Sequence, residues 1–320
     1  MLEHTPTVSQ LDTSLAICTL FEGDYHFGLA AFVNSLVRAG YRGTVWVGYR
    51  GALPPWLSQL NSLNVSGEFM VADQIKLAFL KIETDIHLSN YKPQFMLDLL
   101  DAQARECECL WYFDPDIFLC GNWSFFEDWQ RYGIALCQEI VSNILPCDSP
   151  LRHRWMELAS SIGLEKPRAL NHYFNGGMVG VSAARVSFLH LWKRLMQLAE
   201  SEGYDLKHIH AGSRELPFHA YDQDALNIAA MYTEHPLSTM GPEAMGFLPA
   251  GFTMQHATGA KPWRGSLLLE ALAGNSPFPS TKFFFTQLSG PIRPYPAVQL
   301  LGKQWACAVA SFIGRFYRRR

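Results

Sequence analysis

The chain opens with an apolar run, a helical segment and a second apolar run, and that order constrains the fold more than any other feature. Residues 14–20, SLAICTL, end in a glycine-containing loop, FEGDYHF, which predicts a buried strand and a βα turn. Residues 28–39, GLAAFVNSLVRA, carry apolar side chains at helical spacing and stop at Gly40, a residue suited to ending a helix. TVWVGY at 44–49 predicts the next strand. A strand–helix–strand opening implies a parallel α/β sheet.

Further elements extend the pattern. The segment 91–105, YKPQFMLDLLDAQAR, predicts a helix opened by Pro93, and CLWYFDPDIFL at 109–119 is a strand running into two aspartates. YFNGGMVGVS at 173–182 predicts a glycine-rich strand, and helices are expected over 185–202 and 221–231. TMQHATGAKPWRG at 253–265 reads as a turn-rich loop, and the proline-punctuated stretch 276–296 as a connector. The 320 residues are 48% apolar and 17% charged, enough to bury a core and too apolar for a disordered chain. A net charge of −3 argues against nucleic acid as a partner. Seven cysteines without a CxxC pair suggest free thiols in a reducing compartment. The first residues lack an apolar stretch of signal-peptide type, and no run of eighteen apolar residues spans a membrane. These features lead to the expectation of a cytoplasmic protein.

Four places carry chemistry. Asp114-Pro115-Asp116 closes an apolar strand; carboxylates at such a strand end face the crevice where open α/β sheets bind ligands. Such a pair holds a hard cation such as Mg²⁺ or Mn²⁺, although Asp and Pro are also common in plain turns. His256, Gly259 and Lys261 form the second group. A neutral imidazole can complete a carboxylate metal site, Gly259 allows close backbone approach to a phosphate, and Lys261 offers it a positive charge. The third is Asp222-Gln223-Asp224, where Asp222 either caps a helix or reads sugar hydroxyls. The fourth is Asn175-Gly176-Gly177, a short amide beside two residues without bulk.

Taken in order, the βα start, FDPD, YFNGG, DQDALN and H-ATGA-KPW resemble the GT-A-fold glycosyltransferases, most closely family 8, the glycogenin and lipopolysaccharide galactosyl/glucosyltransferase type. The resemblance covers about residues 14–265 and departs from the family in WYFDPD and YFNGGM. It implies a GT-A, Rossmann-like, mainly parallel sheet flanked by helices. It also implies a metal-dependent transferase moving a hexose from a nucleotide diphosphate sugar, UDP-hexose foremost, to a glycan or glycolipid. Asp114, Asp116 and His256 would bind Mn²⁺ or Mg²⁺, and Lys261 and Gly259 would hold the phosphates. Asn175, Asp222 and Gln223 would contact the donor sugar. Tyr25 would stack on the base with Asp24 at its polar edge, and Lys92 is a further candidate for nucleotide or phosphate contact. Family 8 retains anomeric configuration. Gln223 is a poor nucleophile, so front-face transfer is favoured, with Asp222 as another participant. An inverting enzyme would instead use a base such as His219, Asp224 or Glu215. Two rivals are a sugar nucleotidyltransferase, disfavoured because FEGDYHFGL has no Lys or Arg, and a degenerate glycan-binding domain.

Residues 1–265 are expected to form the catalytic domain and 266–320 a connector and basic tail. After Glu270 there are seven basic residues and no acidic one, which leaves −10 on the rest of the chain. Val298, Leu301, Trp305, Val309, Phe312 and Phe316 recur at three- or four-residue steps, with Lys303, Arg315 and Arg318–Arg320 adding charge. This pattern suits a helix docked on the domain or one lying on an anionic leaflet at the cytoplasmic face of a membrane.

Overall fold

The computed structural model describes residues 11–317 except 64, 66, 141–143 and 249–250. The start of the chain and Arg318–Arg320 lie outside the described residues. The strands are β1 (Leu15–Glu22), β2 (Gly43–Arg50), β3 (Asn61–Ser62), β4 (Glu68–Val71), β5 (Ile75–Lys81), β6 (Cys109–Phe113), β7 (Ile117–Leu119), β8 (Ile134–Gln138), β9 (Phe174–Ser182), β10 (Leu237–Met240) and β11 (Met254–His256). The helices are α1 (His26–Ala39), α2 (Leu88–Asp101), α3 (Trp123–Trp129), α4 (Pro150–Ser161), α5 (Ser187–Ser201), α6 (Tyr221–Tyr232), α7 (Leu267–Leu272), α8 (Pro279–Gln287) and α9 (Ala297–Phe316).

Nine strands form one sheet in the order β10-β8-β9-β6-β1-β2-β5-β4-β3. The centre, β5-β2-β1-β6, is parallel, and only β9 and β4 run against the common direction. Helices cover both faces, so side chains of either parity must be apolar. In β1, Leu15, Ile17 and Phe21 join the core beneath α1, while Ala16, Cys18 and Leu20 join the core shared with α2, α5 and α6. Trp111 of β6 packs among Phe113, Trp123, Phe126 and Trp129 at centroid distances of 5.5–6.2 Å. That ring cluster anchors the strand carrying the aspartates. Strand order turns back on itself around β1 and β6, and the C-terminal edge there forms the crevice.

Two expectations change. The second helix begins at Leu88, not at Pro93: the His87 ring accepts from Ser89 N at 3.2 Å and caps it, and Pro93 sits inside. The stretch 276–296 is only partly a connector, because it contains α8, which packs beside α1. Other readings hold: α1 ends at Gly40 in the left-handed region, φ 82°, and the C-terminal segment is one long helix. All seven cysteines are free. Among the described residues no helix is long and apolar enough to cross a membrane.

Candidate active site

The Asp114–Asp116 turn is fixed from both sides by the backbone. Asp114 N donates to Gly177 O of β9 at 2.7 Å, Ile117 N to Asp114 O at 3.0 Å, and Ala257 N to Asp116 O at 3.0 Å. β11 pairs antiparallel with β7, with His256 opposite Ile117. This pairing brings the imidazole to the aspartates: His256 Nε2 lies 3.4 Å from Asp116 Oδ1 and 3.8 Å from Asp114 Oδ2. One ligating atom from each of the three lies within 4.8 Å of the others. Gly177 keeps this approach open. A Cβ there would come within 2.6 Å of His256 Cε1 and 2.9 Å of Asp114 Oδ2. Gly28 does the same for α1, where a Cβ would lie 2.6 Å from Pro115 O.

Two lysines flank the carboxylates. Lys92 Nζ is buried, donates to Asp222 Oδ2 at 2.8 Å and Gly176 O at 2.9 Å, and lies 3.2 Å from Asp114 Oδ1. An ammonium has three donors, so Lys92 is committed within the protein rather than directed at a nucleotide. Lys261 Nζ donates to Asp116 Oδ2 and, at 2.9 Å, to Ala257 O. Burial pushes the Asp114 carboxyl upward, and Lys92 offsets only part of this. Burial acts upward on Asp116 too, but His256 and Lys261 outweigh it and hold that carboxyl well below its ordinary range. Burial alone would lower Lys92; Asp114 and Asp222 reverse the direction. Lys261 is likewise raised, because Asp116 outweighs burial.

The donor set of two carboxylates and one imidazole, with buried Asp116 and His256 paired to half-buried Asp114, fits a divalent cation of the Mn²⁺ or Mg²⁺ kind. A cleft of about 190 Å³ lies beside it, walled by Tyr25, His87–Ser89, Tyr112, Ile209 and Lys261. Tyr112 O–H donates to Asp114 Oδ1 at 2.9 Å.

Other expected residues divide. Asn175 is beside the cluster, with its Oδ1 accepting from Gly177 N at 2.8 Å. Gln223 Oε1 accepts from Gly176 N at 2.9 Å, and Asp222 faces Lys92. The side chain that ties down the start of α6 is therefore that of Asp224, not Asp222. Asp224 Oδ2 accepts from His219 N and Ala220 N at 2.7 and 2.8 Å, and Oδ1 from Tyr173 O–H at 2.7 Å. Tyr25 lines the cleft, with Lys261 and Arg264 5.6 and 5.3 Å from its ring centroid. Asp24 is engaged by Arg264 through both oxygens instead of being free for a base. Gly259 occupies an exposed turn at φ 76° outside the cleft wall. Two residues escaped the sequence reading. Arg264 is one. The other is Glu139, which accepts from Asn175 Nδ2. Its signal was available: a carboxylate just after the apolar strand IALCQ repeats the arrangement at Asp114.

The WbbM bifunctional glycosyltransferase, in its apo structure, is similar to this chain with a TM-score of 0.55 and 13% identity, over 92% of this chain and 52% of that one. The fold is the GT-A glycosyltransferase fold. The chain spans about half the length of the structure it matches, and the likeness does not single out family 8. No protein-family model matches the chain, and no curated protein matches its sequence.

Proposed function

We propose that this protein is a metal-dependent glycosyltransferase of the family 8 kind, taking a hexose from a UDP-sugar to a glycan or glycolipid. The observation that carries the reading is the convergence of Asp114, Asp116 and His256 beside a cleft at the C-terminal edge of the sheet. A cation held there, Mn²⁺ or Mg²⁺, would supply Lewis-acid stabilisation of a diphosphate leaving group. Lys261 at the cleft wall adds positive charge for the phosphates, and Tyr25 offers an aromatic surface to the base. Asn175, Asp222 and Gln223 stand on the sugar side, their polar groups already oriented by Gly177, Lys92 and Gly176.

Retention by front-face transfer suits this geometry. Asp222 is tied to Lys92 and Gln223 to a backbone amide, so neither is a free nucleophile. The leaving phosphate then accepts the acceptor's proton while oriented dipoles stabilise the oxocarbenium-like centre. Asp224 already accepts from Tyr173 O–H, His219 N and Ala220 N, which supports this reading over one with Asp224 as the base for inversion. The reading keeps the two-part organisation, 1–265 for catalysis and 266–320 for the tail, and sets the tail against the cytoplasmic face of a membrane.

The test is the thermal midpoint of the purified chain with UDP, with and without Mn²⁺. A ligand at a hundred times its Kd stabilises the native state by about 2.7 kcal/mol. The shift should need Mn²⁺ and vanish in Asp116→Ala. No shift with any nucleoside diphosphate would replace this reading with that of a glycan-binding domain.

A further inference from the structure

A second cleft, of about 640 Å³, shares His256 with the first but reaches neither aspartate. The proposed handling of the cation, the diphosphate and the base makes no use of it. Its size falls within the range of about 300–1,000 Å³ usual for small-ligand sites. Two links join it to the metal cluster. The rings of Phe247, in its wall, and His256 lie 5.8 Å apart between centroids. Ile140, also in the wall, follows Glu139, which accepts from Asn175 Nδ2. A ligand lying in this cleft therefore ends beside the three candidate metal ligands.

The lining decides the chemistry of that ligand. Among the described residues, none lining the cleft is an Asp, Glu, Lys or Arg. The helix α8 begins at its edge with Pro279, but a helix N-terminus carries only partial charge and proline has no N–H to offer. Without an ammonium or guanidinium the cleft has no counter-ion for a phosphate or carboxylate, and burying such a group unpaired is costly. Its polar groups are uncharged. Gln255 is 8% exposed, and its Oε1 has no hydrogen-bond partner among the described residues. Gly246, at φ 71°, makes room for that amide, which a Cβ would overlap. A buried amide without partners is costly, and a ligand hydroxyl bonded to it removes the cost. Ser280 adds a hydroxyl, and Phe278, 64% exposed, adds an aromatic ring at the rim. A sugar ring has an apolar C–H face and a margin of hydroxyls. An aromatic ring takes the first, and amides and hydroxyls take the second.

We propose that this cleft is the acceptor site, and that the end of the acceptor it takes is an uncharged saccharide. The sugar lays its C–H face on Phe278, its hydroxyls bond Gln255 and Ser280, and the attacking hydroxyl passes His256 toward the first cleft. The acceptor oxygen then bonds the anomeric carbon, the bond from that carbon to the diphosphate breaks, and the leaving phosphate takes the hydroxyl proton. Sugars bearing a phosphate or carboxylate at that end are refused. This rests on the transferase reading and names the substrate class for its acceptor side.

The test is an array of neutral and acidic oligosaccharides probed with the labelled full chain in UDP and Mn²⁺, followed by saturation-transfer NMR on the tightest binder. The oligosaccharides bound should share an uncharged terminal sugar, and saturation should be strongest at the C–H protons of that sugar. Phe278→Ala should weaken binding by about tenfold. Gln255→Leu, of similar shape but without donor or acceptor, should weaken it at least as much. Both variants should keep the UDP–Mn²⁺ midpoint shift. Binding confined to acidic oligosaccharides, binding that neither variant changes, or no binding by a chain that shows the UDP–Mn²⁺ shift overturns this proposal and leaves the transferase reading standing. Saccharide binding without any UDP–Mn²⁺ shift removes the transferase reading, and the acceptor assignment with it.

Discussion

Lys92 is the residue on which most of the site's internal order depends. It is buried and bonded to Asp222 and Gly176, with Asp114 3.2 Å away. Lys92→Met would leave buried Asp222 and half-buried Asp114 without their shared ammonium. Breaking a buried pair in this way costs about 3–5 kcal/mol. We expect a fall of that size in denaturant-measured stability, together with loss of UDP–Mn²⁺ binding. Gly177→Ala tests the close approach directly. The added methyl meets His256, Asn175 and Asp114, and overpacking costs about 1–3 kcal/mol. The variant should fold, as judged by circular dichroism, and lose the Mn²⁺-dependent shift. The sequence revealed Asp114, Asp116 and His256 because strand-terminal carboxylates and a loop histidine are local patterns. It did not reveal Lys92's engagement, since that depends on α2, β9 and α6 meeting around one ammonium.

Among the elements, α1 holds the C-terminal segment to the sheet. Asn34 is buried in α1, donates to Gln287 O at 2.9 Å and Ile292 O at 2.8 Å, and accepts from Ile292 N at 3.0 Å. Gly290 lies so close that a Cβ would meet the Asn34 side chain at 2.5 Å. Asn34→Leu removes all three bonds and strands backbone groups, each costing about 1–3 kcal/mol. Limited proteolysis should then cut around 288–296 many times faster than in the wild type, with the UDP–Mn²⁺ shift retained. The helical stripe of α9 was legible from its spacing, as was the βα opening. The Asn34 clasp was not. A polar residue inside an apolar helix gives no hint of a partner some 250 positions away, and the prolines of 276–296 mask the turn of helix between them.

At the scale of the whole molecule, acid response and assembly order follow from the same site. Asp116 has its folded pKa pressed below the ordinary carboxylate value of about 3.9. Its contribution to stability is therefore complete above about pH 4 and is lost as pH falls further. Asp116→Asn should be less stable than the wild type near neutrality and should show a shallower loss of stability on the acid limb, measured by urea titration at each pH. The three candidate ligands also arrive far apart in time. During synthesis Asp114 and Asp116 emerge with β6, whereas His256 and Lys261 follow only after β8, α4, β9, α5, α6 and β10. Until β11 docks on β7, a growing chain carries the acidic pair without its imidazole. On the proposed reading such a chain lacks one of the three ligands, so cation capture would be a late event that reports a nearly finished fold.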